Sequence, residues 1–209
     1  MRINVYIDGF NLYYGSLKGQ PYKWLDLEKM SDLLLPNFEV KRIRYFTARV
    51  KERVDDTQAP VRQSAYLRAL GTLPKVDVHL GSFLTKPTRM LLASPPLNGP
   101  RTIEVIKTEE KGSDVNLATY LLVDAFREDA DAFAVVSNDS DLTEPIRIVC
   151  HELGKVVGVL NPQATPSQRL LQCRPSFAKP IRAGVLRASQ FPATITDASG
   201  HTITKPSGW

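Results

Sequence analysis

Apolar positions in this chain come in short runs divided by polar, turn-forming stretches, and their period switches back and forth along the sequence. INVYI (3–7) and AFAVVS (132–137) are nearly continuous apolar runs, the length of a strand buried on both faces. VKRIRYFTARV (40–50) alternates, with Ile43, Tyr45 and Thr47 on one face, and reads as a second strand. VDVHLGSFLT (76–85), TIEVIKT (102–108) and KVVGVL (155–160) are further strands. Helical spacing predicts a helix over 27–35, after a long connection from the first strand, and another from Pro60 through Tyr66, Leu67 and Leu70 to Gly71. SDVNLATYLLVDAFRE (113–128) is the clearest helix, with Ser113 as N-cap and Val115, Ala118, Leu122 and Ala125 as its apolar face. A further helix spans about 146–153 and stops at Gly154. Pro87, Pro95, Pro96 and Pro100 make 86–100 an irregular excursion. Beyond Leu160 come one or two short helices and a Pro-, Thr- and Gly-rich tail from about Phe191.

This alternation predicts an α/β fold, a doubly wound, mostly parallel sheet with helices on both faces. One core is expected, with residues 1–165 as the main domain and 166–209 as a helical extension and tail packed on it or trailing from it. In such sheets ligands bind beyond the carboxyl ends of the strands, where the strand order reverses. Asp8 follows INVYI directly, and Asp139 and Asp141 follow AFAVVS. Asp114 opens the helix that comes after TIEVIKT, which puts it on the same edge. Each has a plain alternative: an Asp-Gly turn at Asp8, the positive helix end at Asp114, a cap at Asp139 and Asp141. Their convergence on one edge is what singles them out. Two carboxylates ~4 Å apart repel by ~4 kcal/mol at an effective dielectric of 20, so such a cluster calls for a proton or a cation. An all-oxygen set selects a hard ion, Mg²⁺ or Mn²⁺. Asp124 lies ~15 Å further along the helix and is expected to be solvated. Glu109 and Glu110 lie closer to this edge and are expected to form an exposed loop pair.

Charge sharpens this picture. Residues 41–111 hold fourteen Lys or Arg against seven acids, 147–209 hold eight against two, and 112–146 hold eight acids and one Arg. An acidic block between basic segments suits a polyanion drawn in overall and processed at a cation site, and equally a plainly solvated surface. The segments 41–53 and 169–187, with Arg49 and Lys51, are the expected polyanion contacts. Tyr13, Tyr14, Tyr22 and Trp24 follow the first acid and either stack unpaired bases or pack the connection. No apolar run reaches the ~20 residues of a membrane span, and MRINVYIDGF lacks the features of a signal peptide, so a cytoplasmic protein is expected. Cys150 and Cys173 read as buried thiols, and His79, His151 and His201 as structural or exposed. Phosphate-cradling and dinucleotide glycine motifs are absent, and DSDLTE has Glu144 where a calcium loop needs glycine, so no organic cofactor is expected.

Three blocks, VYIDGFNLYYG, EEKGSDVNLATYLL and VVSNDSDLTEPI, resemble in order and spacing the signature blocks of NYN-domain proteins of the PIN-like nuclease superfamily, over about residues 3–162. LRASQFP…KP is similar to a bacterial branch of that family. Leu142 stands where the family usually has Phe, and Asn138 where it often has Gly. The resemblance implies a ribonuclease using aspartate-bound Mg²⁺ or Mn²⁺, with RNA as partner. Its ligands would be Asp8, Asp114, Asp139 and Asp141, with Asn11 orienting water or phosphate; Lys111 either balances charge there or is a solvated lysine. A further acid in an early helix of fuller PIN sites has no counterpart here, which leaves one or two metals open. A catalytically silent RNA-binding module and a small-molecule phosphatase or nucleotide hydrolase stand as alternatives.

Overall fold

The computed structural model describes residues 1–52 and 56–209. Seven strands form one sheet in the order β4-β3-β2-β1-β5-β6-β7. They are β1 (Arg2–Asp8), β2 (Glu39–Ala48), β3 (Val76–Leu91), β4 (Thr102–Lys111), β5 (Ala132–Val136), β6 (Val156–Asn161) and β7 (Phe177–Pro180). All neighbours are parallel except β3 and β4. The chain builds outward from β1 to β4, then returns to the other side of β1 to lay down β5. β1 and β5 therefore flank the point where the winding reverses, with Ile7 opposite Val136.

The pleat of β1 sorts its side chains. Ile3, Val5 and Ile7 enter one core with α2 (Leu27–Leu34) and α3 (Ala59–Leu70), while Tyr6 enters the other with α4 (Ser113–Phe126) and α5 (Thr143–Arg147). Both faces are covered, which is why β1 and β5 read as unbroken apolar runs. The remainder of the chain divides between the faces: α6 (Gln168–Gln172) sets Leu170 in the second core before the chain enters β7, and α7 (Ala183–Ala188) and the hairpin of β8 (Thr194–Thr196) and β9 (Thr202–Thr204) close the first. Leu186, Phe191 and Ile203 are buried in that core, and Trp209 packs on Trp24 and Tyr66 at ring-centre distances of 6.4 and 5.7 Å.

Several expectations need correcting. The expected long connection after β1 begins instead with a helix, α1 (Gly9–Leu12), which runs straight into a π-helical turn over Tyr13–Leu17. The expected irregular excursion is half strand, because β3 continues through Pro87 to Leu91 and pairs with β4. Beyond Gly81 it has lost β2 as a neighbour, and a ribbon with one free side tolerates proline. Glu109 and Glu110 lie on β4 and not in a loop. The N-cap of α4 is Gly112, at φ 98°, and Ser113 is the first helical residue. The buried stripe of α4 is Leu117, Leu121 and Ala125, flanked by Ala118 and Leu122, with Val115 exposed. This helix is apolar almost all round, so its period alone does not select a face. Asp124 is buried, not solvated: it accepts from Arg44 Nε at 2.7 Å, Arg44 Nη2 at 3.1 Å and the Tyr6 hydroxyl at 2.7 Å. No described helix is long and apolar enough to cross a membrane.

Candidate active site

Asp8 ends β1, 5% exposed, at the mouth of the crevice between β1 and β5. It caps α1, its Oδ1 accepting from the Asn11 N–H at 2.9 Å. Its Oδ2 accepts from the Ser137 hydroxyl at 3.0 Å. The same hydroxyl receives the Asp139 N–H at 3.0 Å, so Ser137 ties the ends of β1 and β5 together through two acids. Asp139 caps the short 3₁₀ turn Ser140–Leu142, accepting from the Asp141 N–H at 2.9 Å. Asp114 stands in the first turn of α4. Glu110 joins it there, accepting from the Ser113 N–H at 3.1 Å and the Ser113 hydroxyl at 2.7 Å. Ser137 and Glu110 were not singled out in the sequence as site residues. The signal for Ser137 was a polar residue closing an otherwise apolar strand, and for Glu110 a place four residues before Asp114.

The charges of these groups act on one another. Asp114 is pushed up to about 6, first by burial, then by the charges of Asp8, Asp139, Glu110 and Asp141. Burial raises Asp8 as well, opposed by its hydrogen bonds and reinforced by Asp139. The remaining acids of 112–146 are neutralised elsewhere: Asp124 by Arg44, Glu128 by Lys155, Asp129 by Lys41, Asp131 by Arg2 and Glu144 by Arg147. Among the described residues, Asp8, Asp114, Asp139 and Asp141 have no ion pair.

The other expected residues divide. Asn11 lies between the acids and a loop: its Oδ1 accepts from the Asn138 N–H at 3.0 Å and from Gln163 Nε2 at 3.2 Å. Asn138 in turn holds Gln163, Thr165 and Ser167. Lys111 pairs with Glu109 at 3.2 Å. Arg49 and Lys51 are exposed just past the carboxyl end of β2, whereas Lys41, Arg42 and Arg44 of the same basic segment pair with Asp129, Asp77 and Asp124. Arg53 lies outside the described residues. Tyr13 and Tyr14 meet edge to face at 5.2 Å, with Tyr14 half exposed, whereas Trp24 is fully buried.

Tyr13 and Tyr14 also line a cavity of about 190 Å³ that starts at Gly9, with Lys23, Tyr45, Arg62, Tyr66 and Trp209 among its walls. None of the four aspartates lines it. Gly9 is needed there: a Cβ would stand 2.7 Å from the Phe46 carbonyl oxygen and from the Tyr45 hydroxyl.

The fold agrees with what comparison finds. The family model described as the NYN domain matches residues 2–179. The chain belongs to the NYN family. NYN domains are generally nucleases, and such nucleases typically use divalent metals. This NYN chain is also 30% identical, over 100% of its own length and 75% of the relative's, to 6-hydroxy-3-succinoylpyridine 3-monooxygenase HspA of Pseudomonas putida. A crystal structure of a protein of unknown function from Vibrio parahaemolyticus shares the fold with a TM-score of 0.53 at 18% identity, covering 87% of this chain and 93% of that one.

A divalent ion fits the NYN acids by donor type, since all are carboxylates, and by charge, since the raised Asp114 marks a site short of positive charge. Among the described residues no three Asp, Glu, His or Cys side chains close around a single point.

Proposed function

We propose that the protein is a metal-dependent ribonuclease that hydrolyses phosphodiester bonds of RNA at the edge formed by β1, β5 and α4. The observation that carries this reading is the selective absence of charge compensation. Five acids of the 112–146 block have cationic partners, and the three without one are those gathered with Asp8 at the crevice. Mutually repelling carboxylates left unpaired are explained by a cation that belongs there.

Asp8, Asp114 and Asp139 would hold Mg²⁺ or Mn²⁺ directly or through water, with Asp141 alongside. Such an ion, when bound, yields a hydroxide near neutral pH and offsets charge on a phosphate. Ser137 and the Asn11 N–H fix the Asp8 carboxylate for that task. The Asn11 amide NH₂, unused among the described residues, orients water or a phosphate oxygen. Arg49 and Lys51 draw in the strand, and Tyr13 and Tyr14 offer ring surface to its bases. Lys111, held by Glu109, is available to a phosphate only after exchange of that partner.

The relationship to HspA over the whole chain, together with the aromatic cavity, favours one second reading. It is insertion of one oxygen atom of O₂ into a small aromatic ring, with a two-electron donor reducing the other atom to water. A labelled RNA oligomer incubated with Mg²⁺, Mn²⁺ or chelator tests the first reading. Divalent-dependent shortening of the oligomer is the expected result. No shortening, with phosphate released from mononucleotides or with O₂ consumed on a small aromatic ring, overturns it in favour of a phosphatase or an oxygenase.

A further inference from the structure

We infer that the cavity beside Asp8 is a binding site for one planar six-membered ring carrying an anionic group. Size sets the first limit. A cavity of about 150 Å³ holds benzene, so about 190 Å³ takes a single substituted ring and crowds a fused bicycle. The walls set the second. Tyr13, Tyr14, Tyr45, Tyr66 and Trp209 present ring surface, which favours a flat π-system over a branched aliphatic group.

Charge sets the third limit. Lys23 lines the cavity with no ion pair among the described residues, whereas Arg62 beside it is already held by Asp56. A cation without an ion pair among the described residues, on an aromatic wall, calls for an anion on the ligand. The site is also preformed. Gln63 is fixed at both ends, accepting from the Val50 N–H and donating to the Ala48 carbonyl, each at 2.9 Å, and Trp209 is wedged against Trp24 and Tyr66. A wall that is already ordered loses little entropy on binding.

Ligands of this chemistry come from two sources: a pyrimidine nucleotide of a strand lying over the acids, or a free heterocyclic acid. The first deepens the ribonuclease reading and rests on it. Binding itself needs neither the metal nor hydrolysis, so it is measured in chelator, and its failure is separate from a failure of cleavage.

Calorimetric titration of the full chain with uridine 5′-monophosphate, adenosine 5′-monophosphate and pyridine-3-carboxylate tests the inference. At least one single-ring probe should bind, with adenosine 5′-monophosphate at least about tenfold weaker than it. Uridine 5′-monophosphate ahead of pyridine-3-carboxylate assigns the site to a strand, and the reverse order assigns it to a free acid. Lys23→Gln should weaken the better probe by about threefold, as expected for a half-exposed ion pair. Ala59→Phe, which fills the cavity from the start of α3, should remove binding with the melting curve retained. Should that variant fail to fold, Tyr14→Ala at a half-exposed wall serves the same purpose by lowering affinity. Equal binding of all three probes, no binding of any, or undiminished affinity in folded wall variants overturns the site.

Discussion

Ser137 is the side chain on which two acids depend, since one hydroxyl serves Asp8 as donor and the Asp139 N–H as acceptor. Ser137→Ala leaves both groups short of a partner in a buried place, and a loss of about 1–3 kcal/mol is expected in urea unfolding, with cleavage impaired. Asp114 behaves in the opposite sense. Its carboxyl ionises near 3.8 when unfolded and about 6 when folded, so between those values the folded protein holds more protons. Stability in chelator therefore falls as pH rises through that window and stays lowered above it. Asp114→Asn should stabilise the protein at pH 8 in chelator by about 1 kcal/mol after solvent screening, seen as a higher melting temperature, and give no such gain at pH 4. The same variant should abolish divalent-dependent RNA cleavage, read on the oligomer with folding verified by circular dichroism. Asp8, Asp114, Asp139 and Asp141 were legible because a carboxylate just past a buried strand, or at the start of the following helix, has its position dictated by topology. Ser137 and Glu110 were not, because their parts depend on which atoms they reach across the fold.

At the level of elements, α4 is placed by its two ends. Gly112 starts it in a left-handed conformation that a side chain disfavours, and Gly112→Ala should cost about 1–2 kcal/mol in thermal melts and shift Asp114 enough to reduce cleavage. Near the other end, Asp124 fastens the helix to β2 and β1 through Arg44 and Tyr6. Asp124→Ala strands a buried guanidinium and should cost about 3–5 kcal/mol, measured as the drop in unfolding free energy in urea. Arg44 stands 80 residues from Asp124, so no local pattern announces the pair, and a helical acid facing the core was read as one facing water. The β3–β4 ribbon was half missed for a related reason. Proline argues against a central strand, and only the sheet order shows that this stretch of β3 has a single neighbour.

Across the whole molecule the basic surround is narrower than the sequence suggested, because much of the cationic count is spent on structural acids on the sheet and toward its amino end. Arg49 and Lys51 remain exposed near the carboxyl edge. Affinity for RNA should fall with salt, at a logarithmic slope of about −0.7 per phosphate contact. Reversal of Arg49 and Lys51 to Glu should flatten that slope more than Lys205→Glu, as seen by binding titrations across a salt series. The uncompensated acids also bear on how this chain would change under selection. Burial and the neighbouring acids make the charge of Asp114 a burden on the metal-free fold, so a carboxamide at position 114 is a stabilising step that would remove the proposed chemistry. A laboratory population propagated for heat resistance alone would drift toward Asn at position 114. One required to keep cleaving would hold Asp there and find its stability in other parts of the sheet.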